Sequence, residues 1–145
     1  MRKLVTWIVP PRKRNIAVIN SGIEALARVH GIPERDSLRF QVSFEGVFSY
    51  LAHNILTAKK NNEVVVELYW ESPDVRLVMQ HDGPGGEWDD SLRAEAKGDI
   101  RRTSFDAMGL FIARDILHRL TFDNWYDLVT GRNMNKYVLD YTVTV

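Results

Sequence analysis

The sequence predicts an α+β fold, a two-layer α/β sandwich in which helices cover one face of a mostly antiparallel sheet. Segments with helical periodicity alternate with short strands, and four of the strands come in pairs joined by short connections typical of hairpins. No linker, internal repeat or low-complexity tract interrupts the 145 residues, a length sufficient for one domain with its own core. Hairpin strands beside helices favour this layered class, so residues 1–145 are interpreted as a single domain.

The composition is that of an ordinary globular protein. Hydrophobic residues make up 45% and charged residues 26% of the chain, and nineteen basic residues balance nineteen acidic ones. The balance gives no net field for nucleic acid or a membrane surface, and no apolar run approaches the roughly 20 residues of a membrane-spanning helix. Without a signal peptide or any cysteine, a cytoplasmic location is expected.

The first half of the chain is expected to form one strand and two helices. The strand runs from Leu4 to Val9 and is ended by prolines. Helical spacing predicts a first helix from Asn15 to His30, stopped by Gly31, and a longer one from about Asp36 to Lys60. The longer helix has an apolar stripe made of Phe44, Val47, Phe48, Leu51, Ile55 and Ala58.

A second face of the longer helix carries Gly46, Tyr50, Asn54 and Thr57, spaced four, four and three residues apart. An asparagine that borders an apolar stripe is uncommon, because its amide needs partners if it is buried. From the residues alone, Asn54 is either a structural hydrogen-bonding group or a ligand contact.

The second half is expected to contain two hairpins and a third helix. Glu63–Trp70 and Asp74–Gln80 form the first hairpin, and Thr121–Val129 and Asn135–Thr144 the second. Between them lies a polar segment with one short helix around residues 91–96. The third helix opens at Ala107, and its buried side is predicted to comprise Gly109, Ile112, Ala113, Ile116, Leu117 and Leu120.

A glycine-rich turn, His-Asp-Gly-Pro-Gly-Gly at residues 81–86, follows the strand that starts at Asp74. Glycine permits positive φ and close approach of backbone to a ligand, although a simple tight turn has the same composition. Strand alternation places Leu77, Met79 and His81 on the core side. A lone histidine there is more often a core residue than a ligand.

These segments, in this order, resemble the histidine-kinase-like (GHKL) ATPase domain, the Bergerat-type fold shared by gyrase, Hsp90, sensor histidine kinases and MutL. The chain is most similar to the single-domain branch of bacterial anti-sigma factors and serine-protein kinases. Three motifs carry the resemblance: Tyr50-Leu-Ala-His-Asn54, His81-Asp-Gly-Pro-Gly85 and Ala107-Met-Gly109-Leu110. The family's fold implies a mixed, mostly antiparallel sheet.

The resemblance implies a site for ATP or ADP with Mg²⁺. Asn54 would bind the metal together with the nucleotide, since Mg²⁺ takes hard oxygen ligands. Residues from about 87 to 107 would form a lid over the nucleotide. The remaining implied nucleotide contacts are His81, Asp82, Gly83 and Gly85 at the base and ribose, and Arg101, Arg102, Gly109 and Leu110 at the phosphates.

Three positions depart from the family pattern. Tyr50 stands where the family has an acidic general base, and a phenol with a pKa near 10 is a poor base at neutral pH. His81 replaces the aspartate that accepts a hydrogen bond from adenine, and Asp82 could substitute only if the strand end shifted by one residue. Ala107 replaces a glycine. Efficient phosphoryl transfer is therefore not expected.

Two hypotheses follow. The first is an ATP-binding regulator that resembles an anti-sigma factor, with little or no serine kinase activity. The alternative is a nucleotide-free pseudo-ATPase that serves as an interaction module. In both, the resemblance implies a protein partner such as a sigma factor or an anti-sigma antagonist, and it suggests a homodimer.

Overall fold

The computed structural model describes residues 1–56, 62–93 and 105–144, and the side chains of residues 54–56 and 105–107 lie outside this description. Three helices and five strands make up the described chain. In order they are β1 (Arg2–Val9), α1 (Asn15–Val29), α2 (Glu34–Leu56), β2 (Val64–Glu71), β3 (Asp74–Asp82), a single 3₁₀ turn (Asp89–Leu92), α3 (Phe105–Ile116), β4 (Arg119–Asp127) and β5 (Arg132–Thr142).

The five strands form one sheet in the order β1-β2-β3-β5-β4. Every pairing between the described strands is antiparallel, so this sheet is wholly antiparallel rather than mixed. Both predicted hairpins are present, β2 with β3 and β4 with β5. The predicted α+β class is confirmed.

The core lies between one face of the sheet and the helices. Alternate strand residues such as Leu77, Met79 and Leu139 are fully buried against Phe44 and Phe48 of α2. The opposite face of the sheet carries ion pairs, including a bidentate salt bridge from Arg76 to Asp140 with Nε–Oδ1 and Nη2–Oδ2 distances of 2.6 and 3.1 Å. A buried apolar face opposite a polar face is typical of an antiparallel sheet that is covered by helices on one side.

The helices differ from the prediction at their ends and on one face. α3 begins at Phe105, two residues before Ala107, and the short helix expected around residues 91–96 is a 3₁₀ turn, Asp89–Leu92, in the described part. The predicted end of α2 near residue 60 lies outside the described residues. Ile112, predicted to be buried, is 42% exposed, because α3 packs through Leu110 and Ala113, and the predicted Leu117 and Leu120 lie beyond its end.

α2 and α3 touch at a pair of glycines. A Cβ atom on Gly46 would collide with the backbone of Gly109, and one on Gly109 would lie 2.9 Å from the carbonyl oxygen of Gly46. The two helix backbones are therefore in direct contact. Tyr50 follows Gly46 by one helical turn and is buried in the core.

Candidate functional site

Tyr50 lies on the second face of α2, the one that also carries Gly46 and Asn54. Its ring is buried between α2 and the sheet and meets the ring of Tyr137 edge-to-face at 6.4 Å. The Tyr50 hydroxyl donates a hydrogen bond to Oδ1 of Asp89 at 2.7 Å and accepts one from the backbone N–H of Trp88 at 2.9 Å. Both capacities of the hydroxyl are thus used within the chain.

Asp89 is the acceptor at the centre of this site. Only 4% of the residue is exposed, and its Oδ1 atom also accepts a hydrogen bond from the Tyr137 hydroxyl at 2.7 Å. Its Oδ2 atom accepts from the backbone N–H of Gly86 at 2.5 Å. Burial raises the pKa of the Asp89 carboxyl, and the three hydrogen bonds oppose that rise. We call Tyr50, Asp89 and Tyr137 the Tyr–Asp–Tyr cluster.

His81 lies beside this cluster on the core side of β3, as its strand position predicted. It is 2% exposed and stacks on Tyr137 with a centroid separation of 5.8 Å. Its Nδ1 atom lies 2.9 Å from the carbonyl oxygen of Asp82. A carbonyl can only accept, so Nδ1 carries the proton and Nε2 keeps a lone pair. Nε2 is buried without a hydrogen-bond partner among the described residues, and burial lowers the pKa of the His81 imidazole.

Contacts within the chain account for two of the three glycines of the 81–86 turn, Gly83 and Gly85. Gly83 has a φ of +92°, a conformation that favours glycine, and its carbonyl accepts a hydrogen bond from the Asn135 amide at 2.8 Å. A Cβ atom on Gly85 would lie 2.5 Å from Oδ2 of Asp89. The first glycine therefore makes the turn, and the second leaves space for the Asp89 carboxylate.

Asp82 lies on the opposite side of the sheet from the cluster. β3 continues in register through this residue, which pairs with Met134 of β5. The one-residue shift that would bring Asp82 inward does not occur, and its carboxylate forms an ion pair with Arg132 at 3.2 Å. His81 is consequently the inward-facing residue of the two.

Gly109 and Leu110 are the fifth and sixth residues of α3. Their amides therefore come after the first four residues of the helix, whose N–H groups lack intrahelical partners. The two residues are thus not at the N-terminus of α3, where the resemblance placed them, and their contact with phosphate stays a prediction. Gly109 contacts Gly46, and Leu110 is buried in the core. The side chain of Asn54, together with Arg101 and Arg102, lies outside the described residues.

Sequence reasoning missed three residues of the site, Asp89, Tyr137 and Asn135. The sequence does indicate that Tyr137 faces inward, because it alternates with Leu139 and Tyr141 along β5. Asn135 pairs with His81 across β3 and β5, which only the strand register reveals. No pattern in the sequence distinguishes Asp89 from its neighbour Asp90.

Two further features concern metal-binding groups and membrane-spanning helices in the described part of the chain. Among residues 1–56, 62–93 and 105–144, no group of three or more histidine, aspartate or glutamate side chains is arranged to hold a metal ion. None of the helices described there is both long and apolar enough to span a bilayer.

Comparison with known proteins bears on the fold. No family model matches the sequence, and no curated protein sequence matches it. The structure is similar to a chain in the crystal structure of the SiaB–SiaC complex from Pseudomonas aeruginosa, with a TM-score of 0.74 and 12% sequence identity. The match covers 96% of this chain and 91% of that one. At this identity the likeness shows a common fold, and the resemblance to the ATPase family stays a prediction.

Proposed function

We propose that this chain is a regulatory protein that acts by binding a protein partner without using a nucleotide. The observation that carries the proposal is the Tyr–Asp–Tyr cluster. In the resemblance to the ATPase family, Tyr50 and His81 mark the general-base and adenine positions of the nucleotide site. Here the Asp89 carboxylate bonds to Tyr50 and Tyr137, so the chain's own side chains pack between those two positions.

The groups that catalysis would require are also unsuited to it. Burial and the neighbouring Asp89 carboxylate raise the pKa of the Tyr50 hydroxyl above its ordinary value. The hydroxyl therefore stays protonated at neutral pH and would not accept a proton from a substrate. At the adenine position, the acceptor atom of His81, Nε2, is buried in the core beside Tyr137, so it is not exposed to an adenine amino group. Negligible kinase turnover is part of the proposal, since a positioned general base typically contributes about 10²–10⁴-fold to the rate.

A protein partner is supported by the structural neighbour, which comes from a complex of two proteins, SiaB and SiaC. The finer identity, a sigma factor or an anti-sigma antagonist, rests on the family resemblance, as does a possible homodimer. Both are part of the proposal, because fold alone does not determine function.

A second candidate is weak binding of ATP or ADP with Mg²⁺ at Asn54 and the glycine turn. One observation favours it: a Cβ atom on Gly83 would meet nothing within 4 Å, so the backbone of this residue is open to a ligand. Glycine at such a position lets a ligand approach the main chain closely.

A thermal-shift titration with Mg-ATP separates the two candidates. The proposal predicts no change in the Tm of the wild type at millimolar Mg-ATP. A ligand at about 100 times its Kd would add about 2.7 kcal/mol to the free energy of unfolding. A rise in Tm that Asn54→Ala abolishes would overturn the nucleotide-free proposal and support the second candidate.

A variant that restores the family residues provides the positive control. Tyr50→Glu with His81→Asp returns both departed positions, and Asp89→Ser avoids three buried carboxyl groups in contact. If the assignment of these positions is correct, this triple variant should bind Mg-ATP more tightly than the wild type. Unchanged affinity would show that Tyr50 and His81 do not correspond to the family's base and adenine positions.

A further inference from the structure

A groove runs along the outer surface of the helical layer, above the crossing of α2 and α3. Its volume is about 300 Å³, and its floor is the backbone of Gly46 and Gly109. Val42 of α2 and Met108 and Ile112 of α3 form its apolar walls. We call this the α2–α3 groove. It lies on the opposite side of α2 from the core residues Phe44 and Phe48.

The walls of the groove are apolar and open to solvent. Val42, Met108 and Ile112 are 47%, 44% and 42% exposed, and Leu38, one turn before Val42, is 51% exposed. Single exposed apolar residues are normal, but here three of them form one strip around a backbone floor, while Leu38 lines a separate hollow between α1 and α2. Such a strip is typical of a surface that binds another protein.

The rim of the groove carries more positive than negative charge. Lys13 lines the groove and is flanked in sequence by Arg12 and Arg14. Helical spacing puts Arg35 and Arg39 on the same stripe of α2 as Val42. None of these five cations pairs with a carboxylate in the described part of the chain.

The acidic residues around the groove are fewer. Glu45 lines it, Glu34 precedes Arg35 at the start of α2, and Asp115 follows Ile112 by three residues on α3. The chain as a whole has equal numbers of basic and acidic residues, so the positive excess at this rim is local. An occupant with carboxylates on its flanks would complement it.

We propose that the α2–α3 groove docks an amphipathic helix of a partner protein, with apolar residues facing the groove and Asp or Glu on its flanks. A helix laid in an apolar groove is a recurring mode of peptide recognition, read by anchors at i, i+3, i+4 and i+7. Gly46 and Gly109 line the groove, so the anchors of such a helix would contact α2 and α3 where the two helices cross. This inference rests on the proposed function as a partner-binding protein and names the surface that binds.

A pair of synthetic peptides tests the proposal. The first is a fluorescein-labelled helical peptide of about 18 residues with leucine at the anchor positions and glutamate on the flanks. The second has lysine at every glutamate position. Fluorescence anisotropy should show the acidic peptide binding the wild type at least about tenfold more tightly than the basic one.

Groove variants locate the binding. Ile112→Ser should weaken binding of the acidic peptide at least about fivefold, and Lys13→Glu with Arg39→Glu should reverse the preference between the two peptides. Val18→Ser, on an exposed apolar residue of α1, is the matched control and should leave both affinities unchanged. All of these side chains are exposed at least in part, and circular dichroism would verify that each variant is folded.

Several results would overturn the inference. One is equal affinity for the two peptides, and another is an Ile112→Ser variant that binds the acidic peptide as tightly as the wild type. A third is a dimer in sedimentation that Ile112→Ser dissociates, because the groove would then hold a second copy of the chain. Binding to anionic vesicles that Lys13→Glu abolishes, with no binding of the acidic peptide, would assign the surface to a membrane. The Mg-ATP titration is independent of all these measurements, so failure of the groove and failure of the nucleotide-free proposal can be told apart.

Discussion

Asp89 concentrates the polar interactions of the candidate site in one side chain. Its two oxygens accept hydrogen bonds from Tyr50, Tyr137 and the Gly86 amide, and the residue is almost fully removed from water. A buried acceptor that satisfies three donors leaves all of them unpaired if it is removed, and each unpaired group costs free energy. The contribution of the cluster to the free energy of unfolding should therefore depend on the Asp89 carboxylate rather than on the size of the side chain.

We expect Asp89→Asn to lower the free energy of unfolding by about 1–3 kcal/mol. The amide oxygen can still accept from the tyrosine hydroxyls, but the amide nitrogen would face the N–H of Gly86, donor against donor. Urea unfolding measures the change. Asp90→Asn is the control, because Asp90 is exposed and its carboxylate pairs with Arg93 at 2.8 Å. It should change stability by less than about 0.5 kcal/mol, and an equal loss in both variants would contradict the assigned role of Asp89.

The sequence predicted the direction of single side chains better than their partners. Strand alternation put His81 on the core side, and helical spacing put Tyr50 beside the apolar stripe, as the structure has them. Both are local properties of one element. The bond between Tyr50 and Asp89 joins residues 39 positions apart and depends on the path of the glycine turn, which no local period encodes.

At the scale of elements, periodicity predicted each described helix and strand, with errors of one to three residues at most ends. Its clearest failure is the face of α3. Hydrophobicity alone could not assign Ile112, because the helix is apolar around much of its circumference and the buried side is set by the contact with α2. The same contact explains Gly109, which the motif resemblance assigned to phosphate binding.

Alanine at the helix crossing tests that contact. In an open helix, glycine to alanine stabilises by up to about 1 kcal/mol, because glycine has the greater backbone freedom to lose. At Gly46 the added methyl would collide with the backbone of Gly109, so we expect Gly46→Ala to destabilise the protein by about 1–3 kcal/mol. Urea unfolding gives the sign. Ser49→Ala, one turn further on and beside the same groove, should lie within about 0.5 kcal/mol of the wild type, and a stabilising Gly46→Ala would show that the helices are not in contact there.

For the whole molecule, the sequence predicted two layers but not the strand order β1-β2-β3-β5-β4. Hairpins are local, whereas the pairing of β3 with β5 joins residues more than 50 positions apart, such as His81 and Asn135. That pairing brings Tyr137 next to His81 and so assembles the site. The same pairing places two buried titratable groups, His81 and Asp89, in one interior, with opposite consequences for stability as a function of pH.

His81 should make the wild type lose stability as the pH falls. Its pKa is lowered from 6.5 in the native state, so below that pH the unfolded chain binds a proton that the native state refuses. Asp89 acts in the opposite sense: its pKa is raised from 3.8, so its contribution to the free energy of unfolding is greatest below that pH and declines as the pH rises through the native pKa.

We expect the stability difference between wild type and His81→Gln to rise with pH, by no more than about 1.4 kcal/mol per unit, and to level off above about pH 6.5. The difference between wild type and Asp89→Asn should instead fall as the pH rises above about 3.8. Urea unfolding from pH 4 to 8 measures both differences. Parallel curves for wild type and His81→Gln would mean that the native state accommodates a charged imidazole beside Tyr137, and the closed interior proposed for this site would then be wrong.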